Sequence, residues 1–72
     1  MIKYLVIYER DGKSYGAYVP DLPGCVAVAS SLARVKKLIR EAIALHVEDM
    51  RERGERLPKP RTEVEYVEAQ LA

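Results

Sequence analysis

The chain has no tryptophan, no phenylalanine, one cysteine and one histidine. A lone cysteine, Cys25, excludes an intrachain disulfide. A lone histidine, His46, with no cysteine cluster leaves no set of ligands for structural zinc. No apolar run approaches the ~20 residues of a membrane span, and Met1-Ile2-Lys3-Tyr4 enters a strand pattern with no signal-peptide layout. These absences point to a cytoplasmic protein without a membrane association. The formal charge of +1 argues against a dedicated nucleic-acid surface. Seventy-two residues make one domain, 1–72, near the lower limit for a self-supporting core. Disulfides and metal are the usual supplements at this size, and neither is available. Association with protein is what remains.

What the sequence does have is a rigid corner between short apolar strands. Ile2 to Glu9 alternates as a strand, with Ile2, Tyr4, Val6 and Tyr8 on one face and Lys3, Leu5, Ile7 and Glu9 on the other. Both faces are apolar at the middle, which predicts a central strand covered on both sides. Asp11-Gly12 marks a hairpin, in a turn that includes Lys13. Ser14 to Val19 returns as the second strand. The run Val19-Pro20-Asp21-Leu22-Pro23-Gly24-Cys25 then turns the chain, its prolines fixing φ and removing donors. Cys25 to Ala29 follows as a third strand of small side chains.

Ser31 is the expected N-cap of a helix from Leu32 to about Arg53, ended by Gly54. Val35, Ile39, Ala42, Ile43, His46 and Met50 recur on one side of it. Pro58 and Pro60 interrupt the charged connector beyond. Thr62 to Val67 predicts a fourth strand, Val64 and Tyr66 facing one way and Glu63 and Glu65 the other. The fold class is therefore α+β: an antiparallel β-β-β-α-β unit, one helix on a three- to four-stranded sheet. One helix covers one face. The apolar residues on the other call for a second layer, supplied by a homo-oligomer, dimer or higher.

The residues that could carry chemistry have ordinary structural readings. Asp11 and Asp21 sit in turns, and Glu41 and Glu48 lie on the outer surface of the helix. His46 lies in the apolar stripe, where a neutral core histidine is several times commoner than a catalytic one. Cys25 has no basic neighbour in sequence to activate it. No catalytic, metal or cofactor residue is assigned. The tyrosines suit a protein interface or the core better than base stacking. The protein-interaction candidates are Tyr15, Tyr18, Pro20, Asp21, Leu22, Pro23 and Gly24; those for self-association are Tyr4, Leu5, Ile7, Tyr8 and Met50. A metal-dependent minimal nuclease, a nucleic-acid binder using Arg34 to Arg40, and an orphan structural domain are the alternatives.

Three segments together resemble the N-terminal domain of the HicB-like antitoxin family. They are Met1 to Glu9, then Tyr15 to Cys25, and Ser31-Leu32 leading to Ile39-Arg40-Glu41-Ala42-Ile43-Ala44-Leu45-His46. The connector Gly54 to Pro60 also matches the family's exit from the helix. The resemblance implies a partial ribonuclease H-like fold that assembles into oligomers. It also implies a non-enzymatic antitoxin that neutralises HicA, a small messenger-cleaving toxin, by covering its active face. Full-length members repress their own operon through a C-terminal DNA-binding domain. The residues after Val67 are too few for one, so operator binding is not carried over. Two departures are visible. Ala33, Arg34, Lys36 and Lys37 occupy a turn where family members often carry acidic residues. The ribonuclease H carboxylate positions on the first strand read Lys3, Leu5 and Ile7.

Overall fold

The computed structural model describes residues 1–71. Three strands, β1 (Ile7–Asp11), β2 (Ser14–Tyr18) and β3 (Val26–Ala29), form an antiparallel sheet in the order β1-β2-β3. One helix, α1 (Leu32–Glu52), lies over β2 and β3. The α+β class and the meander are as the sequence predicts. Strand β1 is an edge, however, and β2 is the central strand. The helix footprint leaves β1 out, apart from the Lys36 ammonium 5.9 Å from the Tyr8 ring.

The first strand is also shorter than its pattern. The register places Ile7 opposite Tyr18 and continues through Tyr8–Ala17 and Glu9–Gly16. Residues before Ile7 would need partners beyond Tyr18. There the chain turns: the Val19 amide donates to the Cys25 carbonyl at 3.2 Å, and Pro20 has no amide to give. The hairpin closes through a two-residue loop, Gly12-Lys13, between paired Asp11 and Ser14. That is tighter than the turn read from the sequence, and glycine at the first loop position suits it.

The alternation of side chains sorts the sheet into two faces. Ala17 and Val19, with Ala27, Ala29 and half-buried Tyr15, face the helix. There Leu22, Cys25, Val35 and Ile39 complete the core, against which Tyr4, Val6, Ala42 and Ile43 also pack. Small alanines on β2 and β3 let the helix approach closely, and Val35 and Ile39 fill the space so made. Met50 is buried too, but apart from this cluster.

The helix ends as its sequence dictates. The Ser31 hydroxyl accepts from the Arg34 amide at 3.2 Å, satisfying one of the unpaired donors of the first turn. At the other end Arg53 is the cap. The Glu55 amide reaches the Met50 carbonyl at 2.9 Å and the Gly54 amide reaches that of Arg51 at 3.1 Å. This paired closure is the Schellman motif, with glycine at the residue past the cap.

The fourth strand is absent among the described residues. Thr62 to Val67 carries no strand pairing, and Val64, Tyr66 and Val67 are exposed. The connector is held at two points: the Tyr4 hydroxyl donates to the Pro58 carbonyl at 2.6 Å, and the Asp21 carboxylate accepts from the amides of Arg61 and Thr62. Beyond that the chain leaves the body. The radius of gyration is 14.5 Å, against roughly 11 Å for a compact domain of this length.

Candidate protein-interaction face

Two consecutive turns build the corner that follows β2. Val19 accepts from the Leu22 amide at 3.0 Å, and Leu22 accepts from the Cys25 amide at 3.0 Å. Proline occupies the second position of each turn. Gly24, at φ +85°, takes the third position of the second, as a type II turn requires. Leu22, between the turns, drives its side chain into the core and is 1% exposed. The corner is thus pinned from beneath. Its outer surface, Pro23 and Gly24, is presented to solvent.

The sheet face turned away from the helix carries Ile7, Tyr18 and Val26 in one cross-strand row and Glu9, Gly16 and Val28 in the next. Val26 is 61% and Val28 68% exposed. The larger residues of β3 therefore point to solvent while its alanines point inward. Gly16 lies at the middle of the second row, and its missing side chain floors a shallow groove of about 470 Å³. Tyr18, Pro20, Val26 and Val28 line the groove, and Glu9 supplies the acidic group at its rim. The lining is mostly apolar, which suits a protein partner that can desolvate it.

The residues singled out from sequence do not all share this face. Tyr18, Pro20, Pro23 and Gly24 line the groove. Leu22 also borders it, from a buried position. Tyr15 is half-buried on the helix side, with the Arg10 guanidinium 5.7 Å from its ring. Asp21 turns away toward the connector, where its carboxylate accepts from the amides of Arg61 and Thr62, each at 3.1 Å, and from the Thr62 hydroxyl at 2.8 Å. The Thr62 hydroxyl and amide, followed by the Arg61 amide and charge, hold the Asp21 carboxyl below its ordinary range. Of the self-association candidates, Ile7 belongs to the open face, Tyr4 and Tyr8 to the helix side, and Met50 to the interior. Leu5 is half-buried and lies outside the core cluster.

Gly16, Val26 and Val28 were not singled out from the sequence. The signal was present in Val26-Ala27-Val28-Ala29, whose alternation of size separates an inner from an outer face. Burial pushes the Cys25 thiol above its ordinary range, so no reactive nucleophile stands at the corner. Among the described residues no three His, Cys, Asp or Glu side chains come together as a metal site. No helix among them is long and apolar enough to cross a membrane. The arrangement offers an apolar contact surface.

Known proteins place this architecture. A 14.9 kDa protein of Haemophilus phage HP1, from the rep-hol intergenic region, is 34% identical over 64 residues, which are 89% of this chain. The chain spans 48% of that relative's length. A UPF0150 protein of Thermoplasma acidophilum is 32% identical over 63 residues, covering 86% of this chain and 91% of its own. A solved HicA3 and HicB3 toxin-antitoxin complex contains a chain of similar fold, with a TM-score of 0.68 and 28% identity. The likeness covers 83% of this chain and 70% of that one. The family model for the HicB-like antitoxin of bacterial toxin-antitoxin systems matches residues 4–72. With sheet, corner and helix all inside that match, the chain belongs to the HicB-like antitoxin family.

Proposed function

We propose that this HicB-like module binds a small, basic, RNA-cleaving toxin of the HicA type and blocks it by covering its active face. The contact surface is the open sheet face with the adjoining corner. The observation that carries the reading is the exposed apolar set Tyr18, Val26 and Val28 around the groove floored by Gly16. Tyr18 supplies the aromatic anchor typical of interface centres, and Glu9 the acidic rim that steers a basic partner. The complex of HicA3 with HicB3, whose chain shares this fold, supports a partner of that class. Such a toxin acts on messenger RNA, so the module works in the cytoplasm.

The test is co-expression with a HicA-like toxin encoded beside this gene. Growth should be restored and the two proteins should co-purify. Replacing Val26 and Val28 with aspartate should abolish both effects and leave the circular dichroism spectrum unchanged, because both side chains already face solvent. Toxin bound equally well by that double variant would move the contact elsewhere.

A further inference from the structure

A formal charge of +1 hides a sorting of charges by the fold. Alternation along β1 sends Glu9 and Asp11 to the open face and Tyr8 and Arg10 to the helix side, where they pair with Ala17 and Tyr15. On α1, Arg34, Lys36, Lys37 and Arg40 all precede the first carboxylate, Glu41. The long Lys36 side chain reaches from the helix to the edge strand, its ammonium 5.9 Å from the Tyr8 ring. Arg40 lies one turn beyond Lys36 on the same side, while Glu41 is roughly 140° around the axis from Lys36. The flank so formed carries Arg10, Lys36 and Arg40 beside the rings of Tyr8 and Tyr15.

Among the described residues none of these three cations is in an ion pair. The Arg10 Nε donates to the Gly12 carbonyl at 3.3 Å, and the guanidinium stands 5.7 Å from the Tyr15 ring. Those contacts steady the side chain and leave its terminal nitrogens for an anion. Tyr8 is 37% exposed, because the helix covers β2 and β3 and leaves this edge open. Cations near a helix N-terminus oppose the helix dipole, so local stability does not account for the basic opening of α1.

We propose that this flank binds single-stranded RNA, with unpaired bases stacking at Tyr8 and phosphates meeting Arg10, Lys36 and Arg40. Rings set beside cations fit a polynucleotide better than an acidic protein, which would engage the cations and leave the rings unused. The strand has to be unpaired, since a duplex keeps its bases in their own stack. RNA is chosen over DNA because the toxin reading sets this module beside messenger RNA, and that choice alone rests on it. The flank lies across the sheet from Gly16, Val26 and Val28, so RNA does not compete with a protein on the open face.

The test is fluorescence anisotropy of a labelled oligouridylate of about twelve nucleotides, with no toxin present. Binding should weaken about twentyfold from about 50 to about 200 mM salt, the loss expected for about three phosphates of a single strand. Tyr8→Ala should weaken it at least about fivefold. Lys36→Gln should weaken it too and lower the salt dependence by about one phosphate, with the helical spectrum retained because Lys36 is exposed. Arg51→Gln removes the same charge from the last turn of the helix and should leave affinity unchanged. No binding at low salt by about 100 μM protein would overturn the proposal. So would equal losses from Lys36→Gln and Arg51→Gln, or a duplex bound as tightly as the single strand. Tighter binding of the matching deoxyuridine strand would overturn the choice of RNA. Because no toxin is present, a failure to bind RNA and a failure to bind toxin are separate results.

Discussion

Asp21 and Thr62, 41 positions apart in sequence, are joined twice: the carboxylate accepts from both the threonine amide and its hydroxyl, at 3.1 and 2.8 Å. This tie connects the proline corner to the root of the C-terminal tail. It depends on charge, because a carboxylate accepts all of these bonds and a protonated acid has to give one oxygen over to donation. The folded Asp21 titrates below its ordinary value, so the tie is complete above the usual carboxylate range and is lost as the pH falls through the lowered value. Amide exchange at Thr62 should therefore accelerate on strong acidification. Asp21→Asn should show the faster exchange at neutral pH and little further dependence on acid. Protection of Thr62 unchanged in that variant would mean that the tie does not hold the tail.

Within the corner, Leu22 and Gly24 should fail for different reasons. Leu22 is enclosed, so Leu22→Ala removes packed methyls and leaves a cavity, a change that costs about 2–5 kcal/mol. A domain of this length has roughly 4–11 kcal/mol in total, so the loss is a large share of its stability. At Gly24 a new Cβ meets nothing within 4 Å, and the whole penalty of Gly24→Ala comes from φ +85°, about 1–2 kcal/mol. Urea melts should rank the two variants in that order. A neutral Gly24→Ala would show that the corner relaxes to another turn.

The parts of the fold that were readable from sequence are those fixed by neighbouring residues. Ser31 and Gly54 bound the helix because a cap is a local bond. The two Xaa-Pro turns and the Asp11-Gly12 hairpin are local for the same reason. The status of β1 was not local. Its apolar faces suggested a central strand, yet whether a strand lies at an edge depends on what pairs with it, and Pro20 and the turn at Val19 end that pairing early. Thr62 to Val67 has a strand's alternation without a sheet to join, because alternation records which faces want burial and not where the covering layer comes from. The role of Asp21 was hidden likewise. A turn aspartate and a tail threonine carry no mark of each other across 41 positions.

Cys25 should behave as a core residue throughout the accessible pH range. It is 3% exposed, and burial alone raises its thiol above the ordinary value. A raised folded value favours the neutral thiol. The corresponding stability is present below the unfolded value and declines as the pH rises toward the folded one. A thiol reagent at neutral pH should therefore modify the protein only at the rate of unfolding, and chemical stability should fall on the alkaline side. Cys25→Ser should abolish that alkaline decline. Rapid labelling of the folded protein would instead place the corner in an open state.

Gly16 gives the sharpest handle on the open face. A side chain built there would find only the Ala27 carbonyl oxygen, at 4.0 Å, and the backbone at Gly16 is not in the left-handed region. Gly16→Val therefore suits the strand, since a β-branched residue replaces the one least favoured there, and the fold should be at least as stable as before. The same side chain fills the floor of the groove between Tyr18 and Val28. If a toxin seats an apolar anchor in that groove, its affinity should fall by a hundredfold or more, about 3 kcal/mol, while the chain mass and melting temperature hold or rise. Calorimetric titration of a HicA-like toxin into wild-type and Gly16→Val protein checks both halves together. Full affinity in the variant would leave the groove without a part in the contact, and the search would move to the outer surface of the corner at Pro23 and Gly24.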